Sequence, residues 1–428
     1  MNAEERIHRY GRFGHLGLER METLMEKLGN PQDDLEYIHV AGTNGKGSVC
    51  KYIYEMLRAG GYHVGLFTSP YLEVFNERIE LDGEYISDDD LEAVTDQVIA
   101  KADEMEAEGL ETPTEFEIIT AIAFVYFAQK GCDFVVLEVG LGGRGDSTNI
   151  IKAPLCSVIA SISLDHTDRL GTTIPEIAAE KAGIIKKGCP VVINTDNDDA
   201  RAVFRKKAHD MDAPLFDAAR VPVKITRETL EAVTFNVEIL DHLYRSMEIS
   251  MLGRHQVSNA AEALFVITLL VQQGKLELEN RDIKDGLRRA KQIGRFEILG
   301  RDPFVIIDGA HNPDASLRLR ETVQKYFADG KILMVCGILA DKDVEDVLVN
   351  FRGITDQFIA AEPPNPRRMP AGELAERIAA EGGECHVCAD PKEAVRCALE
   401  QRNDYDLILF AGSLYLIGSI RKDIINAL

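Results

Sequence analysis

The sequence predicts an α/β protein in two domains. An N-terminal P-loop parallel-sheet domain with a small antiparallel appendage covers residues 1–294, and a smaller Rossmann-like C-terminal domain covers 295–428. Three observations predict this. A short apolar strand, Leu35–Val40, runs through a glycine-rich turn into a helical pattern. Uninterrupted apolar strand runs then alternate with helices in both halves, as in parallel sheets covered on both faces. Between the halves the alternation breaks at Gln292-Ile293-Gly294-Arg295.

Composition bounds the answer. The 428 residues are enough for two or three domains with sizeable cores. Apolar residues at 45% and charged residues at 28% are ordinary for a soluble globular protein. A net charge of −23 without a strong basic run argues against a nucleic-acid surface, while leaving room for a locally positive site. Met1–Glu5 has neither the basic nor the apolar part of a signal peptide, and no apolar run spans a bilayer. The eight cysteines form no disulfide framework, and Cys385 and Cys388 lack the second pair of a tetrahedral zinc site. The expectation is a cytoplasmic protein that contacts neither nucleic acid nor membrane.

The elements follow in order. Ile7–Leu28 carries one helical pattern, stopped at Gly29-Asn30-Pro31. After the glycine-rich turn, Val49, Tyr52, Ile53, Met56 and Leu57 line one helical face, and Tyr62–Phe67 is a second strand. Asp82-Gly83 joins Ile79–Leu81 to Glu84–Ile86 as a hairpin, and Ser87 caps a helix. Glu115–Lys130 is a helix so apolar that most of its sides must be buried. Phe134–Val139, Ser157–Ser163 and Val191–Asn194 are strands, with helices over Ile174–Lys187 and Asp198–Met211. Val221–Ile225, Val233–Leu240 and Tyr244–Met251 alternate as the antiparallel appendage, and helices Ser258–Gln273 and Arg281–Ala290 close the domain. The second domain repeats strand and helix from Phe304–Asp308 to Tyr415–Ala427.

The chemistry centres on Gly42-Thr43-Asn44-Gly45-Lys46-Gly47-Ser48. A strand, a glycine-rich turn and a helix start aim backbone N–H groups and the positive helix end at a phosphate, and Lys46 adds a compact charge. Only Thr43 and Asn44 separate Gly42 from Gly45, so this is a shortened form of the usual loop. The bland alternative is a turn that binds nothing. Open parallel sheets bind ligands beyond the carboxyl ends of their strands. Ser69, Glu138, Asp165 and His166 each follow an apolar strand there. A hydroxyl, a carboxylate and an imidazole around outer phosphates suit Mg²⁺, with Mn²⁺ as a substitute. Taken singly, Glu138 reads equally as a loop carboxylate and His166 as a polar strand end. His255 and Asn259 could share one helical face, or Ser258 could simply cap an ordinary helix. Arg295 at the hinge serves either a phosphate or a salt bridge. Asp308-Gly309-Ala310-His311-Asn312-Pro313 is either a ligand-facing loop or a turn built by Gly, Asn and Pro.

These motifs, in this order, resemble the folylpolyglutamate synthase and dihydrofolate synthase family, the folate branch of the Mur ligases. The resemblance runs nearly end to end, from Gly42–Ser48 through Thr114-Glu115-Phe116-Glu117, Glu138–Asn149, Glu180-Lys181-Ala182-Gly183-Ile184 and Gly253–Asn259 to Gly412-Ser413-Leu414-Tyr415. It implies an ATP-dependent amide ligase acting on dihydropteroate, reduced folates and L-glutamate through an acyl phosphate, with ATP and Mg²⁺, as a monomer. It further implies that Gly42, Thr43, Asn44, Gly45, Lys46, Gly47 and Ser48 cradle phosphates, and that Asn259, Arg295 and Asp308 contact nucleotide. Lys46, His166, Lys181 and Arg295 are then catalytic. Ser69, Glu138 and His166 match metal positions, and Lys181 matches a lysine that is carbamylated in the family; from chemistry alone it is an ordinary helix lysine. His311 and Ser413 match positions tied to the incoming glutamate, and Thr114, Phe116 and Asp146 the pterin pocket of bifunctional members. The family's Trp-Pro before the hinge Gly-Arg is replaced here by Gln292-Ile293, and the chain has no Trp.

Competing readings make different demands. Mur-type peptide ligases carry a nucleotide-sugar domain ahead of the phosphate loop. A nucleotide-dependent switch would need no convergence of Glu138, His166, Arg295 and Asp308. A scaffold without a ligand would not be stabilised by nucleotide.

Overall fold

The computed structural model describes residues 1–11 and 17–428, in two units. The first comprises Met1–Arg227, Thr234–Ile249 and Val257–Ala290; the second comprises Glu228–Val233, Ser250–Gln256 and Lys291–Leu428.

The first unit is built on eight strands: β1 (Tyr37–Ala41), β2 (Val64–Phe67), β3 (Ile79–Leu81), β4 (Glu84–Tyr85), β5 (Phe134–Glu138), β6 (Cys156–Ile159), β7 (Val191–Ile193) and β8 (Leu215–Asp217). Their order is β4-β3-β2-β5-β1-β6-β7-β8. All neighbours from β2 to β8 are parallel, and β3 and β4 turn back antiparallel. β1 therefore lies between β5 and β6, with every residue buried. The chain leaves β1 towards β2 on one side and later reaches β6 on the other, which opens a crevice at the carboxyl ends of the central strands. Asp82 and Gly83, both at positive φ, make the tight β3–β4 turn. Helix Glu115–Lys130 is buried along most of its length and held at its start by a Thr114–Glu117 capping box. Helix Asn280–Arg289 crosses helix Lys46–Ala59 so closely at Gly286 that an added Cβ would stand 2.4 Å from Met56 Cα.

β9 (Val223–Glu228), β10 (Val233–Ile239) and β11 (His242–Ile249) form the small second sheet. The two-residue link at Leu240-Asp241, both at positive φ, requires β10 and β11 to run antiparallel. In the second unit β12 (Glu297–Arg301), β13 (Phe304–Ile307), β14 (Ile332–Cys336), β15 (Gln357–Ala360), β16 (Glu384–Val387) and β17 (Leu407–Ala411) are ordered β12-β13-β17-β14-β15-β16, with only β12 antiparallel.

Several expectations are corrected. The single N-terminal helix is two, Ala3–Ile7 and Glu19–Lys27, and part of the predicted span, 12–16, lies outside the described residues. The helix predicted to start at Ser258 starts at Arg254, which places Ser258 inside it rather than at its cap. β6 ends at Ile159, because the following residues turn to pair with the phosphate loop. β8, β12 and β16 were not legible. β8 and β16 are edge strands, and most of β16 is exposed, so neither shows an apolar run. Among the described residues no helix is long and apolar enough to cross a membrane, and each of the eight cysteines is a free thiol.

Candidate active site

The phosphate loop is shaped by its own backbone and by its neighbours. Gly42 and Gly45 sit at φ +152° and +86°, where a side chain is strained. A Cβ on Gly42 would stand 2.9 Å from Ala160 Cβ, and one on Gly45 would stand 2.7 Å from Asn259 Oδ1. Thr43 N–H donates to Ser161 O at 2.7 Å, and the Thr43 hydroxyl lies 3.1 Å from Ser163 O. Asn44 Nδ2 donates to Ser163 Oγ at 3.3 Å. The segment after β6 thus braces the loop from one side and Asn259 packs on it from another. Helix Lys46–Ala59 starts at the loop and carries no acidic residue in its first turn, so nothing there opposes an anion.

Two lysines converge on one carbonyl. Lys46 Nζ donates to Gly42 O at 3.3 Å, and Lys181 Nζ donates to the same oxygen at 2.8 Å. Lys181 is only 4% exposed. Burial and the charge of Lys46 pull its ammonium down to about 7, against smaller opposing pulls from Asp165 and Asp146. From chemistry alone the sequence shows an ordinary helix lysine; no local pattern signals this burial.

Glu138 closes β5 and is buried, and its Oε2 accepts from Ser69 N–H at 3.1 Å, which joins the ends of β5 and β2. His166 stands at φ +50° on an exposed loop, where its N–H donates to Asp165 Oδ1 at 2.8 Å. Among the described residues no group of three or more His, Cys, Asp and Glu side chains could hold a metal ion by itself.

Loop 140–149 packs on the end of helix Ile174–Lys181. A Cβ on Gly143 would stand 3.0 Å from Lys181 Cα, and Asn149 Nδ2 donates to Arg144 O and Gly183 O. Asp146 organises the loop from inside. It is 4% exposed and accepts from Leu141 N–H at 2.8 Å, Thr148 N–H at 3.1 Å and the Thr148 hydroxyl at 2.5 Å. Since that hydroxyl donates to Asp146, it accepts from His39 Nε2–H at 2.9 Å. His39 is fully buried in the centre of β1, and burial with the Lys186 charge pulls it down to about 3. Sequence reasoning missed this relay; a histidine inside an otherwise apolar strand was the available signal.

Phe116 lies over the backbone of Gly140, where a Cβ would stand 2.4 Å from its ring, and 6.0 Å from the Phe67 ring. Thr114 is the cap of that helix. A cavity of about 680 Å³ opens beside Thr114, and its charged lining is balanced: Arg6, Arg9 and Arg20 face Asp103, Glu106 and Glu111. Arg20 is itself held by Glu117 through two 3.0 Å hydrogen bonds.

In the second unit the predicted residues gather at the carboxyl ends of β13 and β17. Asp308 accepts from Phe296 N–H at 2.7 Å and Ala310 N–H at 2.8 Å. Burial pushes its carboxyl up, and Arg295 beside it pulls it back. A Cβ on Gly309 would stand 3.1 Å from Arg295 Nη1. His311 Nδ1 lies 2.8 Å from Gly309 O; a carbonyl only accepts, so Nδ1 carries the proton. Ser413, 2% exposed, caps helix Leu414–Ala427 by accepting from Tyr415 N–H. His255, on the segment that joins this unit, is pulled down to about 4 by burial and by Arg318 and Arg295.

A shortened glycine-rich loop on a parallel sheet, the buried Lys181 and the half-buried Lys46 at its mouth, and a second parallel α/β unit define an ATP-dependent ligase of the Mur class. Residues 40–267 match the Mur ligase middle domain, and residues 294–414 match the Mur ligase glutamate ligase domain. The chain belongs to the folylpolyglutamate synthase/dihydrofolate synthase family, the folate branch of that class. It is 38% identical over 424 residues to a dihydrofolate synthase/folylpolyglutamate synthase of Bacillus subtilis, covering 98% of each chain. The structure of a folylpolyglutamate synthase from Thermotoga maritima superposes with a TM-score of 0.86 at 34% identity, covering 99% of this chain and 96% of that one. A folylpolyglutamate synthase–AMPPCP–folate complex superposes with a TM-score of 0.87 at 34% identity, covering 99% and 100%.

Proposed function

We propose that this protein adds L-glutamate both to dihydropteroate and to the γ-carboxylate of reduced folyl-glutamates, as a cytoplasmic monomer whose two domains meet at residues 294/295. One observation carries the site assignment: Lys46 and Lys181 both reach Gly42 O, which brings two lysine amines to the mouth of the glycine-rich loop. The names of the relatives, and the folate and AMPPCP in the related complex, support the substrates.

The acceptor carboxylate attacks the γ-phosphorus of ATP, the bond to the leaving ADP oxygen breaks, and an acyl phosphate forms. The glutamate amine then adds to the acyl carbon, phosphate leaves with the C–O bond electrons, and the amine proton is lost. Residues 42–48 orient the phosphates with backbone N–H groups, and Lys46 offsets the charge that develops on them. Arg295 and Asp308 serve the nucleotide, with Asn259 at the loop. His311 and Ser413 serve the incoming glutamate. Phe116, packed on Gly140, gives a flat heterocycle a surface to stack on, with Thr114 and Asp146 shaping the loops around it.

Ser69, Glu138 and His166 fit Mg²⁺, or Mn²⁺ in its place. They are a few mainly oxygen donors next to a phosphate loop, and Mg²⁺ takes most of its coordination from phosphates and water. When bound it neutralises charge on the phosphate oxygens. A carbamate on Lys181, formed from its amine and CO₂ with loss of a proton, would turn that buried cation into a carboxylate able to hold a second ion.

The test is ADP release with ATP, Mg²⁺ and glutamate, comparing no acceptor, dihydropteroate and a reduced folate, with product masses read in parallel. Both acceptors are expected to gain glutamate. Turnover with the folate alone would restrict the enzyme to chain extension, and ADP release indifferent to acceptor would overturn the ligase reading.

A further inference from the structure

A second buried cluster stands behind the phosphate loop. Helix Arg254–Gln272 carries Ser258, Asn259 and Glu262 within about one turn. Asn259 Oδ1 packs on Gly45. Glu262 is 0% exposed, the only charged residue in the apolar run Val257–Val271. Its Oε2 lies 3.2 Å from Asn194 Nδ2, and among the described residues its Oε1 has no hydrogen-bond partner. Asn194 Nδ2 also lies 3.1 Å from Ser258 Oγ, and its Oδ1 accepts from that hydroxyl at 3.3 Å. Asn194 follows β7 directly, and its N–H donates to Ile159 O at 2.9 Å, so the sheet holds it rigidly.

A buried, half-satisfied carboxyl in an apolar helix is destabilising compared with a leucine of similar size. What the polar contacts supply is register. Apolar packing tolerates a small slide or rotation of a helix, whereas hydrogen bonds from one sheet-anchored amide to two successive turns do not. We propose that Asn194, Ser258 and Glu262 form a register lock that presents Asn259 to Gly45 and so fixes the nucleotide side of the phosphate loop. Glu262 is thereby a positioning residue for ATP. The proposal rests on the ligase reading for its nucleotide, and its test does not need turnover with any acceptor.

The lock is intact with a neutral carboxyl. Burial pushes Glu262 up to about 8, with Asn194 pulling the other way. The other titratable groups that face it are Cys50 on helix Lys46–Ala59 and Cys156 on β6. Burial pushes both thiols well up, so neither ionises in the same range. Above about pH 8 Glu262 becomes a carboxylate: Oε2 accepts more strongly from Asn194, but Oε1, with no partner among the described residues, then carries charge in an apolar setting, and water drawn to it loosens the packing of the helix on β7.

The experiment measures ADP binding to the full chain by calorimetry from pH 7 to 9, together with the KM for ATP and kcat. Wild type is expected to weaken by about tenfold across that range, the cost of roughly one hydrogen bond. E262Q, neutral at every pH, is expected to flatten the profile. N194L and E262L are expected to raise Kd and the KM for ATP about tenfold, with kcat at saturating ATP held within about twofold; E262L, which removes the buried carboxyl, is expected to unfold at a temperature no lower than wild type, whereas N194L, which leaves it unpaired, unfolds lower. A merely structural role would shift melting and leave the pH profile of E262Q like that of wild type. That profile, or an unchanged Kd in N194L, would overturn the lock. Loss of turnover with every acceptor, with ADP binding still following the lock, would overturn the ligase reading alone.

Discussion

Lys181 Nζ donates to the carbonyl oxygen of Gly42 at 2.8 Å, joining residues 139 positions apart in sequence. Helix Ile174–Lys181 is thereby tied to the first residue of the phosphate loop. Lys181→Ala is expected to lower kcat by about 100-fold, in the range of a lost transition-state charge contact, while ADP binding weakens little. Steady-state kinetics and calorimetry check this. A ¹³C-bicarbonate spectrum should show a carbamate carbon in wild type and none in the variant.

Glu138 receives the Ser69 N–H and closes β5. Glu138→Ala should abolish Mg²⁺-dependent ADP release, by about 100-fold or more, and leave the far-UV spectrum unchanged. Undiminished turnover would remove Glu138 from the metal set.

Gly45→Ala would place a Cβ 2.7 Å from Asn259 Oδ1 at a φ of +86°. The left-handed backbone alone costs about 1–2 kcal/mol. Thermal unfolding should drop by several degrees, and the KM for ATP should rise by about tenfold as Asn259 is pushed off the loop.

His39 sets an acid limit on stability. Its folded pKa is depressed to about 3, so between its unfolded value near 6.5 and about 3 the unfolded chain binds a proton that the folded chain does not. Stability therefore falls as pH drops through that window and is unaffected by this group above it. His39→Gln can still donate to the Thr148 hydroxyl without titrating. Denaturant midpoints measured from pH 7 to 4 should decline less steeply in the variant than in wild type.

The sequence reading was strongest where one strand-to-helix transition carries its own signal. Gly42–Ser48 needs glycines at positive φ and a lysine at a helix start, and those constraints are local. The buried helix Glu115–Lys130 was legible because an all-round apolar pattern leaves it no exposed face, and the β3–β4 turn because Asp-Gly suits positive φ. Ser258 was misread because serine before an apolar run is a cap signal, yet here its hydroxyl is taken up by Asn194 and the helix starts four residues earlier. The edge strand β16 was lost because its partner lies on one side only and most of its residues are exposed, so no apolar run marks it.

By itself, then, the chain determined its two α/β halves, its glycine-rich strand-to-helix turn and the family to which it belongs, because periodicity, turn chemistry and motif order are properties of neighbouring residues. Only the tertiary structure decided that Lys181 is buried against Gly42, that His39 reaches Asp146 through Thr148, and that Asn194 holds Glu262. Each of those depends on strand order, which brings β1 beside β5 and β6, and on desolvation, which acts on a side chain only once distant segments have closed around it.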